Sequence, residues 1–70
     1  MKYLIVIEKS ETGYSAYSPD LPGCVSTGRT VEDTEQNMHE AIEFHIEGLR
    51  AEGIDVPVPT CLSSYIEIAA

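Results

Sequence analysis

Basic residues are scarce in this chain of 70 residues, which has 4 lysines and arginines against 12 aspartates and glutamates. The formal net charge at pH 7 is −8. Because binding to nucleic-acid phosphates requires clustered lysine and arginine, this balance predicts that the chain does not bind DNA or RNA directly. It favours a basic protein partner instead, since opposite net charges speed the encounter of two proteins.

Long apolar runs and paired cysteines are also missing. No run approaches the ~20 residues of a membrane span, and the opening MKYLIVIEK lacks the cleavage site of a signal peptide. We therefore expect a cytoplasmic protein without membrane contact. The 2 cysteines, Cys24 and Cys61, are not in CxxC spacing, and the 2 histidines, His39 and His45, lie on different sides of the predicted helix. No metal or other cofactor is predicted.

The motifs of an enzyme are largely absent. There is no glycine-rich phosphate loop, and Cys24 has no nearby base to form a thiolate, so an inert packed thiol is expected. One enzymatic alternative stays open, a degenerate Mg²⁺-dependent nuclease that would use Glu8, Glu67 and a helix acid. Because carboxylates at strand ends are common on any surface, the sequence favours a protein that is not an enzyme.

Seventy residues form one small domain, residues 1–70, with a core that is marginal on its own. Strands are predicted at residues 3–7, 14–18 and 24–27, from β-branched and aromatic residues separated by polar turns. A fourth strand is predicted at residues 64–68. The first strand is apolar on both faces, which is typical of the interior of a sheet.

A long helix is predicted from Val31 to about Glu52, between a Thr30 cap and a terminating Gly53. Its core face is expected to carry Val31, Met38, Ile42, His45 and Leu49, with Glu35 at the edge. Away from that stripe lie a large aromatic residue, small residues and several acids. The candidates for contact with a partner or with another copy are Phe44, Ala41, Gly48, Glu40, Glu43 and Glu47. Because the core is small, we expect a homo-oligomer, a dimer or a tetramer.

The loop before the third strand is unusually stiff. It consists of Pro19, Asp20, Leu21, Pro22, Gly23 and Cys24. The prolines restrict the backbone, and Gly23 is expected to have positive φ at a sharp turn. Since Leu21 is apolar in a polar turn, it is expected to be buried. The loop is therefore predicted to be structural.

The KYLIVIEKSETGYSAY hairpin, the PDLPGC loop and the helix ending in EGIDVPVP resemble the HicB-like antitoxin family over about residues 3 to 68. The resemblance implies an α+β fold of order β-β-β-α-β, a truncated ribonuclease H-like core. Three strands would be antiparallel, and the fourth would lie beside the first. It also implies a type II antitoxin that binds and occludes a small basic HicA-like mRNA ribonuclease.

One family feature departs from this sequence. Full-length relatives commonly carry a C-terminal DNA-binding segment, and none follows the predicted fourth strand here. Transcriptional autoregulation is therefore not carried over. An orphan oligomeric domain without a cognate toxin is a further alternative to the antitoxin.

Overall fold

The computed structural model describes residues 1–70 and contains three strands followed by one helix. The strands are β1 (Val6–Lys9), β2 (Tyr14–Tyr17) and β3 (Val25–Gly28), and the helix is α1 (Val31–Ala51). The sheet is antiparallel in the order β1-β2-β3, and α1 packs mainly across β3 and β2. The predicted α+β class and antiparallel meander are confirmed.

The ladder between β1 and β2 begins later in the chain than predicted. Val6 is opposite Tyr17, so the next partners along β2 are Ser18 and Pro19. The Ser18 amide donates to the Cys24 carbonyl, and proline has no N–H to donate. Only the Ser18 hydroxyl bonds back, to the Leu4 carbonyl at 2.9 Å. Residues 3–5 therefore precede the strand instead of starting it.

Local signals define both ends of α1. The Thr30 hydroxyl accepts from the Asp33 amide at 3.0 Å, which caps the first turn. At the other end, Gly53 has φ +70, and the Ile54 amide donates to the Leu49 carbonyl at 2.9 Å. This is a Schellman ending, which only glycine adopts at little cost. The predicted helix is confirmed to within one residue.

The core is small. Its buried apolar residues are Ala16, Leu21, Cys24 and Met38, with Tyr3, Ile5, Ile7, Ala41 and Ile42 packed partly against them. Val31, predicted on the core face, is 38% exposed, whereas Thr34 is fully buried. Thr34 tolerates burial because its hydroxyl donates to the Thr30 carbonyl at 2.7 Å.

The sheet lacks the predicted fourth strand. Residues 54–70 form neither helix nor strand, and no backbone ladder joins them to β1. The radius of gyration is 13.8 Å, against about 11 Å expected for a compact chain of this length. The extended segment after the helix contributes to this excess, and the predicted ribonuclease H-like core is not confirmed.

Candidate protein-interaction surfaces

The loop at residues 19–24 is a compact turn anchored in the core. Leu21 has 0% exposure, its amide donates to the Ser18 carbonyl at 3.1 Å, and the Cys24 amide donates to the Leu21 carbonyl at 3.0 Å. Gly23 has φ +84, a conformation that side chains rarely adopt. The expected burial of Leu21 and the expected positive φ of Gly23 are both confirmed.

Asp20 in this loop binds the segment that follows the helix. Its carboxylate accepts from the Thr60 amide at 3.2 Å, the Thr60 hydroxyl at 3.0 Å and the Cys61 amide at 3.1 Å. We call this set the Asp20 clasp. The bond from the Cys61 amide is the largest of several hydrogen bonds that lower the pKa of Asp20. The loop therefore holds the C-terminal segment through Asp20 and also contributes the buried Leu21 to the core.

The Asp20 clasp is expected to open in acid. Because the pKa of Asp20 is lowered in the folded state, its ionised carboxylate stabilises the clasp fully at pH values above the ordinary pKa of 3.8. This stabilisation is lost as pH falls through the lowered folded-state pKa. Asp20→Asn should speed hydrogen exchange at the Thr60 and Cys61 amides and remove this pH dependence. Asp55→Asn changes an exposed acid of the same segment and is the matched control. Equal protection in both variants would refute the clasp.

Neither cysteine has the environment of a nucleophile. Burial raises the pKa of the Cys24 thiol. The Asp20 carboxylate raises the pKa of Cys61, first as a hydrogen-bond partner and then also as a negative charge. Both shifts disfavour the reactive thiolate at neutral pH.

Residues of the 19–24 loop and of the candidate contact patch on α1 line one open groove of about 410 Å³. Its lining residues are Gly23, Cys24, Val25, Ala41, Phe44, His45, Gly48, Leu49 and Glu52. Phe44 is 79% exposed at this groove. The sequence suggested the loop and the helix patch separately, and the structure brings them together. We call this surface the Phe44 groove.

Acidic side chains occupy other parts of the helix. Glu40, Glu43 and Glu47 are exposed, and the His39 side chain lies 3.4 Å from Glu43. An exposed pair of this kind contributes little to stability. Glu40, Glu43 and Glu47 therefore present concentrated negative charge to solvent, and we call them the acidic helix face.

The sheet face that α1 leaves open carries an apolar row. The register places Val6, Tyr17 and Val25 side by side, on the face opposite the buried Ala16. Tyr17 is 41% exposed and Val25 66% exposed. Sequence reasoning missed this row, because strand pairing decides which residues become neighbours.

The carboxylates of the nuclease alternative are not gathered into a site. Glu8 is exposed on β1 opposite Ser15, and Glu67 is exposed in the segment after the clasp. No group of three or more histidine, cysteine, aspartate or glutamate side chains is placed to hold a metal ion.

Beyond the clasp the chain extends away from the fold. Every residue from 62 to 70 is exposed, and we call this segment the C-terminal arm. Its large apolar side chains are Leu62, Tyr65, Ile66 and Ile68. The predicted fourth strand falls within this arm.

Comparisons with known proteins match this architecture. Residues 3–69 match the family described as the HicB-like antitoxin of bacterial toxin-antitoxin systems. A protein of Haemophilus phage HP1 is 42% identical over 66 residues, 94% of this chain, and the chain spans 50% of that relative's length. A UPF0150 protein of Thermoplasma acidophilum is 40% identical over 58 residues, which are 81% of this chain and 84% of the relative.

Two solved structures share the fold. One, described as the HicA3 and HicB3 toxin-antitoxin complex, matches with a TM-score of 0.74 and 40% identity, over 84% of this chain and 70% of the other. The other, the antitoxin HicB3, matches with a TM-score of 0.70 and 42% identity, over 81% of this chain and 42% of the other. No helix of the present chain is long and apolar enough to cross a membrane. The family match over residues 3–69 and the two structural matches show that the chain belongs to the HicB-like antitoxin family of bacterial toxin-antitoxin systems.

Proposed function

We propose that this protein is an antitoxin that binds a small basic mRNA ribonuclease of the HicA kind in the cytoplasm and blocks its active site. The observation that carries the proposal is the fold shared, at 40% identity, with a structure of a HicA3–HicB3 complex. An antitoxin that acts by occlusion needs no catalytic group of its own, in keeping with the two protonated thiols and the dispersed carboxylates.

Charge supports a basic partner. The chain has a net charge of −8, and seven acids against one base lie between Glu32 and Glu52. Exposed opposite charges act mainly on the rate of encounter, and salt screens them over about 10 Å at 0.1 M. The apolar row on the open face of the sheet supplies a contact surface, and the acidic helix face on the other side of the molecule supplies negative charge that attracts a basic partner.

Oligomerisation is part of the proposal. Only 6 of 70 residues are buried, so the isolated domain has few core contacts. The Phe44 groove places a large exposed aromatic beside Ala41 and Gly48, whose small size permits close helix packing. We place a contact between copies of this chain at this groove.

The decisive assay tests whether the product of a neighbouring gene is a HicA-like ribonuclease, and measures its RNA cleavage with and without this protein. A stoichiometric amount of the antitoxin should abolish cleavage, and association should slow as salt rises. Undiminished cleavage in an excess of this protein would refute the proposal. Mg²⁺-dependent cleavage by this chain alone, lost in Glu8→Gln, would favour the nuclease alternative instead.

The role of the helix acids has its own control. Changing Glu40, Glu43 and Glu47 together to lysine should lower the association rate by about tenfold if that face meets the toxin. The control changes Glu8, Glu11 and Asp55 to lysine and gives the same net charge. Equal slowing in both variants would show that only total charge matters.

A further inference from the structure

β1 is a free edge of the sheet whose first two residues are apolar. It pairs with β2 on one side only, and nothing pairs with its other side. Val6 faces the open side of the sheet, whereas Ile7 shares the row of the buried Ala16. The first half of this edge, Val6 and Ile7, is apolar on both faces, whereas Glu8 and Lys9 in the second half are charged. The apolar half is a template for a further strand, unless something covers it.

The C-terminal arm has the pattern of the missing strand. In an extended segment Leu62, Ile66 and Ile68 share one face, with Tyr65 on the other. Tyr65 is 103% exposed, and Leu62, Ile66 and Ile68 are each at least 75% exposed. Residues of these types favour strands, and their exposure leaves a strongly apolar surface unpartnered.

Two contacts direct the arm away from its own β1. The Tyr3 hydroxyl, just before β1, donates to the Pro57 carbonyl, and the Asp20 clasp then holds Thr60 and Cys61 beyond β2. The chain thus passes from the β1 side of the sheet towards the loop after β2. To pair with its own β1, the arm would have to turn back. Its only turn-favouring residues are Ser63 and Ser64, since it contains no glycine, proline, asparagine or aspartate.

We propose that the C-terminal arm adds to the free edge of β1 in a second copy of this chain, and that the second copy returns its own arm. Each molecule carries one unpaired arm and one unpaired edge, so a two-fold axis satisfies both and leaves neither exposed. The Asp20 clasp sets the direction in which the arm leaves. This exchange goes beyond the proposed toxin inhibition and does not require a toxin.

The surface involved is large enough for a stable dimer. Each large apolar side chain removes about 100 Å² from water when it is buried. With the three side chains of one arm face buried and similar areas on the receiving surfaces, reciprocal exchange buries on the order of 1,200 Å², the lower end of a standard interface. The backbone groups of β1 gain partners as well.

The first test measures molar mass in a Phe44→Glu background, which removes the contact proposed at the Phe44 groove. By light scattering at micromolar concentration, this variant should have twice the 7.7 kDa chain mass. Adding Ile66→Asp and Ile68→Asp should halve the mass without loss of helical circular dichroism, because both side chains are exposed in the single chain. Val58→Asp, at a 70% exposed apolar residue before the clasp, is the matched control and should remain dimeric.

A second measurement needs no arm variant. In a mixture of ¹³C-labelled and unlabelled chains, isotope-filtered NOEs should connect Ile66 and Ile68 of one chain with Val6 of another. NOEs confined to one chain, or an arm without contacts to β1, would overturn the exchange. A mass unchanged by the two aspartates would do the same, as would an arm that becomes ordered only when a toxin is added. If the protein did not inhibit the ribonuclease but the molar mass and the NOEs were as expected, only the proposed function would be refuted.

Discussion

Replacing Leu21 by alanine is expected to destabilise the protein by about 2–5 kcal/mol, the range for removing a fully buried leucine from a core. Leu21 has 0% exposure and packs with Ala16, Cys24 and Met38, the other buried apolar residues. A chain of this length has a total stability of about 4–10 kcal/mol. The substitution should therefore consume much or all of it.

Urea unfolding monitored by circular dichroism, at one fixed protein concentration, measures this effect. Val58→Ala removes apolar atoms from a residue that is 70% exposed and should change stability by less than about 0.5 kcal/mol. Hydrogen exchange adds a functional readout, because the same loop carries Asp20. Where the Leu21 variant stays folded, the Thr60 and Cys61 amides should lose protection with the loop. If the urea midpoint of Leu21→Ala were as high as that of Val58→Ala, Leu21 would not anchor the loop in the core.

Features coded by neighbouring residues could be predicted from the sequence. Thr30 followed by Asp33 caps the helix, and Gly53 ends it through a backbone conformation that few other residues adopt. Leu21 was identifiable as a core residue because an apolar side chain in a stiff polar loop has few other places to go. The helix length follows from the same short-range rules, whereas the first strand, predicted at residues 3–7, lies at Val6–Lys9.

Features that depend on distant partners could not be predicted. Asp20 and Cys61 are 41 residues apart, and an aspartate between prolines has the appearance of an ordinary turn residue. Helical periodicity favoured Val31 over Thr34 for the core, but Thr34 lies against Gly28 of β3 and its hydroxyl is satisfied by the Thr30 carbonyl. The fourth strand was expected because its residues favour strands, yet propensity does not supply a neighbouring strand to pair with. Of the site candidates on the helix, Phe44 is exposed but Ala41 packs partly against the core, and their proximity to the Gly23–Cys24 turn depends on the fold.

Gly28→Ala is expected to be the second strongly destabilising change, with a cost of about 3 kcal/mol from overpacking. A Cβ atom at Gly28 would lie 2.5 Å from the Thr34 hydroxyl oxygen and 2.6 Å from the Thr34 amide nitrogen. Thr34 is itself fully buried, and its amide and hydroxyl both bond to the Thr30 carbonyl. The methyl group would therefore push the first turn of α1 away from β3.

Gly48→Ala is the matched control with the opposite expected sign. Gly48 lies inside α1, and a Cβ atom there would meet nothing within 4 Å. Alanine in a helix interior is more stable than glycine by roughly 0.5–1 kcal/mol. In urea unfolding of the Phe44→Glu background, where the proposed contact at the groove is removed, Gly28→Ala should lower the midpoint and Gly48→Ala should raise it. If Gly28→Ala leaves the midpoint unchanged or raises it, the close approach of β3 to α1 does not govern stability at Gly28.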